Sequence, residues 1–223
     1  MKKETTVMEL ISLNVGLPRA VQWKGRTVTT GIFKGPVAGR VMMRRYNLDG
    51  DRQADLSVHG GAEKAVYVYP AGHYDYWRGE LPEIEFTPGI FGENLTITGL
   101  KEDTVSIGDR FRIGRAEVVV TQPRQPCYKL GLRFGRDDII RRFLESGRSG
   151  FYLAVLKEGE TGAGDAVELI HRDPDNFTVA DFNEVFLNER ANLKKLRRAA
   201  GVAALPARWR SWMQKRIHEL SAP

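Results

Sequence analysis

Short runs of branched and aromatic residues, each halted by glycine or proline, dominate the chain and leave little room for long helices. Residues 8–15 (MELISLNV), 26–34 (RTVTTGIFK) and 40–46 (RVMMRRY) are runs of this kind. Residues 65–69 (AVYVY) form an unbroken apolar stretch, the pattern of a strand covered on both faces. Residues 93–98 (ENLTIT) alternate, and 108–113 with 116–122 flank Gly114-Arg115 as a hairpin would. Residues 151–157 and 165–171 flank the glycine-rich GETGAG, which predicts a further hairpin. Two helical patterns interrupt the series. One covers 71–79, with Tyr74 and Trp77 on one side; the other covers 136–146, where Ile139, Ile140, Phe143 and Leu144 form a stripe. Many short strands without a βαβ rhythm predict a mainly β, barrel-like domain with some α structure. Neither GxGxxG nor GxxxxGK[ST] occurs, which disfavours a doubly wound nucleotide-binding fold.

After His171 the character changes. Arg172-Asp173-Pro174-Asp175-Asn176 reads as a polar linker, and Thr178 can cap a helix running through Asp181 to Leu187. Residues 188–200 predict a second, basic helix stopped by Gly201. Pro206 suits the first turn of a third, over 207–220, with Trp209, Trp212, Met213 and Ile217 on its apolar face. Residues 178–223 hold nine Lys/Arg against four Asp/Glu, so this segment carries five of the chain's net +6 charges. Charge and pattern together divide the chain into residues 1–172 and a three-helix module over 173–223.

Composition sets the compartment. With 42% hydrophobic and 28% charged residues the chain can bury a core, which excludes intrinsic disorder. No run approaches the roughly 18 apolar residues of a membrane span. The charged Met1–Thr6 start leads into no apolar signal region, and a single cysteine rules out an internal disulfide. The expectation is a cytoplasmic protein with no membrane partner.

That cysteine, Cys127, is the first candidate for chemistry. Pro123 and Pro126 stiffen the path out of the 116–122 run, and Arg124 and Lys129 on either side favour a thiolate. A thiolate is a nucleophile and a soft-metal ligand, whereas a buried thiol is a small apolar filler; the spacing alone supports either. A second cluster, Asp49-Gly50-Asp51-Arg52-Gln53-Ala54-Asp55, continues through Leu56-Ser57-Val58 to His59-Gly60-Gly61, where adjacent glycines let backbone approach a ligand. The bland alternative is a turn whose histidine satisfies backbone carbonyls. A third, Pro88-Gly89-Ile90-Phe91-Gly92-Glu93-Asn94, delivers Asn94 at the start of a run, either as a turn former or to read the amide edge of a heterocycle. One cysteine and four scattered histidines (His59, His73, His171, His218) give no zinc spacing, and GxSxG is absent.

Taken in series, these segments resemble the MOSC domain. The residues that carry the likeness are the Asp49–Asp55 cluster, His59-Gly60-Gly61, Lys64-Ala65-Val66-Tyr67, Pro88-Gly89 through Leu95, Gln122-Pro123-Arg124, Pro126-Cys127 and Lys129-Leu130. The order is most similar to YiiM-type members, which add a C-terminal three-helix extension. The resemblance covers essentially the whole chain. It implies a barrel-like β domain that binds a molybdenum cofactor (Mo-molybdopterin) through its pterin, with the motif cysteine ligating the metal. Carried over, Cys127 is the metal ligand and catalytic residue. Arg124, Lys34, Arg52 and the backbone of His59-Gly60-Gly61 are candidates for the cofactor's phosphate, and Asn94 for its pterin or an oxo group.

The resemblance further implies a reductase of N-hydroxylated bases such as 6-hydroxylaminopurine, cleaving N–O to leave adenine. With no flavin or iron–sulfur motif present, electrons would come from a separate flavin-type reductase. A competing reading is sulfur carriage by a Cys127 persulfide without metal. The basic tail raises nucleic-acid binding through Arg190, Lys194, Arg197 and Arg198, but no base-reading pattern accompanies it, and a solvated helix face is the favoured reading. Trp209, Trp212 and Met213 suggest docking of the electron donor or of a second copy as a homodimer.

Overall fold

The computed structural model describes residues 7–56 and 60–222. Its strands, in chain order, are β1 (Leu10–Val15), β2 (Arg19–Trp23), β3 (Arg26–Thr30), β4 (Gly35–Pro36), β5 (Arg40–Met43), β6 (Val66–Pro70), β7 (Leu95–Ile97), β8 (Arg110–Ile113), β9 (Ala116–Pro123), β10 (Phe151–Lys157), β11 (Gly159–Gly162) and β12 (Val167–His171). The helices are α1 (His73–Glu80), α2 (Tyr128–Phe134), α3 (Ile139–Ser146), α4 (Val179–Leu187), α5 (Leu193–Gly201) and α6 (Ala207–Ser221). Among the described residues no helix is long and apolar enough to cross a membrane.

The main sheet runs β12-β8-β9-β10-β6-β7-β1-β4, with β6–β7 its parallel pair. It closes on itself. Glu9 bridges Ala166, the Gly164 N–H donates to Leu10 O at 2.8 Å, and the Val167 N–H to Met8 O at 2.9 Å. Closure pairs backbone groups that an open edge would leave bare. Alternation then sorts the side chains. Leu10, Leu13, Val66, Val68, Val118, Val120, Phe151 and Leu153 fill the barrel interior. Tyr67 and Tyr69 point outward from β6 into a second apolar layer with Trp77 of α1, Leu130 of α2 and Phe143 of α3. That is why β6 is apolar without interruption: it is covered on both faces, as its sequence predicts.

The C-terminal module packs its own core from Phe182, Val185, Leu196, Val202, Leu205 and Met213, with Ile107 contributed by the barrel. Thr178 caps α4 in a reciprocal box with Asp181. Met213 is fully buried there and Trp209 packs edge-on against Phe182, so the apolar face of α6 is engaged within the chain. Most of the tail's cations serve its own helix ends and loops. Arg190 bonds Phe186 O, Arg198 bonds Asn176 O at 3.0 Å, Arg210 bonds Leu205 O at 2.7 Å, and Lys195 pairs with Glu189 at 2.7 Å.

Three local expectations fail, the first two because strand partners are chosen by tertiary contacts and the third because of a helix cap. The 26–34 run ends early as β3, which pairs with an unpredicted β2 across Lys24 and Gly25 at positive φ. The 151–157 and 165–171 runs do not pair with each other. β10 joins β9 and β6, β12 joins β8, and the glycine-rich segment between them is itself a strand, β11, paired with β5. Residues 188–192 are not helical, because Asn192 accepts the Lys195 N–H and starts α5 at Leu193.

Candidate functional site

An open cleft lies at the ends of β3 and β9 and the starts of β6 and β10. Its walls include Ile32 and Lys34, the Arg52–Ala54 loop, Lys64, Tyr67, Phe91, Gly92, Asn94, Arg124, Cys127, Lys129 and Tyr152. Close backbone packing shapes one side. A Cβ on Gly31 would lie 2.4 Å from Arg52 O, and one on Gly89, whose φ is +89°, would lie 2.6 Å from Lys34 O. Only glycine lets these loops meet.

Cys127 stands at the N-cap of α2, which the sequence reading missed. Pro123 ends β9 and Pro126 directs the chain into the helix, so two fixed φ angles place the half-buried sulfur in the cleft wall. Arg124 lies beneath it, 6% exposed, with its guanidinium carbon 5.1 Å from the ring centroids of both Tyr67 and Phe143. Burial works against its charge, yet Tyr67, Tyr152 and Cys127 together leave its pKa raised. Its Nη1 is buried and, among the described residues, has no hydrogen-bond partner; such a donor costs free energy until something accepts from it.

Lys34 and Asn94 line the cleft but are committed to protein partners. Asp51, 2% exposed, accepts from Lys34 Nζ, from the Gly16 N–H at 2.9 Å and from Asn94 Nδ2 at 3.0 Å. Asn94 Nδ2 also donates to Asn14 O at 3.3 Å, and its Oδ1 accepts the Tyr67 N–H at 3.1 Å. Burial lowers the Lys34 pKa, with Asp51 opposing. These two residues, expected to bind phosphate and pterin, both line the cleft, and Asp51 holds them in place. Buried amides and ammonium groups need fixed partners, and Asp51 supplies them. Glu93 is a similar anchor: fully buried, it accepts from Tyr74 Oη, from the Gly89 N–H at 2.7 Å and from the Phe91 N–H at 3.1 Å. Burial raises its pKa.

Arg52, a phosphate candidate from sequence, is exposed and lines the cleft. His59 falls outside the described residues. Gly60 and Gly61 are not among the lining residues; the Gly60 N–H bonds Leu56 O at 3.2 Å and Gly61, at φ +99°, turns the chain into the 3-10 segment Ala62–Lys64. That turn delivers Lys64 to the cleft.

Sequence reasoning also missed two buried polar contacts, one of them to the tail. Gln122, fully buried, accepts from Arg208 Nη2 and from Trp209 Nε1 at 2.7 Å, which ties α6 to the end of β9. Arg208 thereby comes close enough to Lys64 to help burial depress that lysine's pKa. The other is His73, which is buried and shares 2.7 Å with Glu102.

A closed barrel with a single cysteine at a cationic cleft and a helical tail docked beside it defines a class. Residues 55–168 match the MOSC domain and residues 177–219 the YiiM-like, 3-alpha helix domain, so the chain belongs to the MOSC family and to its YiiM-like branch. It is 42% identical over 217 residues to the uncharacterized protein YflK of Bacillus subtilis, covering 97% of each chain. It is 38% identical over 189 residues to YiiM of Escherichia coli, covering 84% of each. A protein of Gibberella moniliformis named a reductase is 34% identical over 175 residues, 77% of this chain and 31% of that one. The crystal structure of YiiM from Geobacillus stearothermophilus superposes with a TM-score of 0.80 at 37% identity, covering 94% of this chain and 99% of that.

Proposed function

We propose that the protein is a molybdenum cofactor-dependent reductase of small N-hydroxylated compounds, with Cys127 as the ligand to the metal. The observation that supports it is the pairing of a half-buried cysteine with an arginine beneath it whose buried Nη1 lacks an acceptor. Among the described residues no three His, Cys, Asp or Glu side chains gather to hold a metal ion, so a metal bound here would bring most of its ligands. A sulfur-rich, anionic cofactor fits both facts: the thiolate is a soft donor and the orphaned guanidinium N–H suits a phosphate or pterin oxygen. When bound, that group would supply two-electron chemistry at its metal. Cys127 would hold it, Arg124 and Arg52 would bind its anionic part, and Lys34, Asp51 and Asn94 would keep the cleft floor rigid beneath it.

The reductase name of the Gibberella relative supports oxidoreductase activity, and two thirds of that protein lies outside the matched region. The electrons would come from a separate flavin-type reductase as donor. The test is molybdenum per chain in anaerobically purified protein from a host that makes the cofactor, beside Cys127→Ser, followed by reduction of 6-hydroxylaminopurine. Near-stoichiometric metal that vanishes in the variant, with turnover only in the wild type, is the expected result. Metal-free wild-type protein carrying a persulfide on Cys127 would replace this reading with sulfur carriage.

A further inference from the structure

Reductive cleavage of an N–O bond consumes two protons, so the cleft needs a side chain that can give one up. Most of its lining cannot. Arginine does not deprotonate, Lys34 is tied to Asp51, and Tyr67 donates its hydroxyl proton to Ser149 O at 2.8 Å. Tyr152 is different. It stands on β10 directly across from Gln122 and Tyr67, with its ring 5.3 Å from that of Tyr67. It lines the same cleft as Cys127 and Arg124; its hydroxyl meets the Arg124 guanidinium, which can only donate, and among the described residues no protein acceptor takes its proton. We propose that Tyr152 is the proton donor of the reaction, giving its phenolic proton to the departing oxygen of the N-hydroxylated substrate.

This inference rests on the reductase reading. Reduction of R–NH–OH to the amine needs two electrons, for which the separate reductase would be the source, and the cofactor held by Cys127 would supply the two-electron chemistry. The N–O bond breaks, the oxygen leaves with the Tyr152 proton as water, and a second proton from solvent completes the amine. Solvent then returns a proton to the phenolate. Two cations attend that phenolate: Arg124 from the end of β9 and Arg208 from α6 both favour it electrostatically. Burial is the larger influence and raises the Tyr152 pKa, so the hydroxyl keeps its proton until a substrate calls for it. Arg208 gives the C-terminal module a place in the chemistry: docked by Gln122, it is a positioning residue for Tyr152.

The test compares Tyr152→Phe and Lys64→Met with the wild type in three measurements. Tyr152→Phe keeps the ring and its packing, so metal per chain is expected to stay at the wild-type level. Turnover of 6-hydroxylaminopurine is expected to fall about 100-fold or more with KM within about threefold, as for loss of a general acid. In metal-free protein, calorimetry should show 6-hydroxylaminopurine binding about 2- to 10-fold more weakly to Tyr152→Phe, one hydrogen bond's worth, with adenine affinity unchanged. Wild-type turnover in Tyr152→Phe, equal weakening for both purines, or a loss confined to Lys64→Met overturns the assignment. If loaded wild-type protein does not reduce the N-hydroxylated purine at all, the reductase reading falls first and this inference with it.

Discussion

Replacing Asp51 by asparagine tests the structural logic of the cleft floor. The carboxylate is 2% exposed and faces the Lys34 ammonium, whose side chain is 9% exposed, together with the Gly16 N–H and Asn94 Nδ2. Asp51→Asn keeps the shape, removes the charge and leaves the ammonium buried without its counter-ion. Removing one member of a buried pair costs about 3–5 kcal/mol, because the survivor retains its desolvation penalty. For a chain of this size each kcal/mol moves Tm by about 2–4 °C, so the variant should melt roughly 6–20 °C lower. Lys34→Met in the same background should recover much of that loss, since no buried charge then remains. The pH dependence has a definite sign. Burial already holds the Lys34 pKa below 10.5, so the unfolded chain binds more protons than the folded one and stability rises with pH as that lysine discharges. Without Asp51 the folded pKa falls further, so the deficit of Asp51→Asn should shrink between pH 7 and pH 10. Thermal melts of wild type, both single variants and the double variant at these two pH values measure every quantity. A loss below about 1 kcal/mol, or a deficit that grows with pH, refutes the role of Asp51 in holding Lys34.

Other sites yield further expectations. Gly89→Ala should cost about 1–3 kcal/mol in urea unfolding, because φ is +89° and the new methyl meets Lys34 O at 2.6 Å. Gln122→Ala leaves Trp209 Nε1 and Arg208 without their shared acceptor; hydrogen exchange in α6 should accelerate by a factor of about 5–30 relative to the barrel strands, and equal rates would remove Gln122 as the latch. Thr178→Ala removes a reciprocal cap and should cost about 0.5–2 kcal/mol in the tail, read from the same exchange experiment. Phe143→Ala opens a cavity under Arg124 and should cost about 3–5 kcal/mol by denaturant titration, with values under 1 kcal/mol contradicting its place in the second core.

Much of this architecture was legible in local pattern. The unbroken AVYVY run became a strand buried on both faces, because five consecutive apolar residues are stable only where both faces are covered. The Gly114-Arg115 hairpin and the Thr178 cap followed the same logic, since a turn or a cap is decided by a handful of neighbouring residues. Cys127 was likewise visible, singled out by its prolines and flanking cations. The identities of strand partners were not. β10 lies beside β9 and β6, and the tail's Gln122 contact spans 86 residues, choices made by which surfaces can be buried together. The same physics divided the polar residues of the site. Lys34 and Asn94 looked like ligand binders from sequence, but burial required each to take a permanent protein partner, while Arg124 was left with a donor facing no acceptor. Local sequence thus determined most of the strands, the tight turns and caps and the setting of the single cysteine, since each depends on residues close along the chain. Only the folded barrel decided which strands pair and which buried polar groups find partners within the protein, because desolvation acts on groups brought together from distant segments.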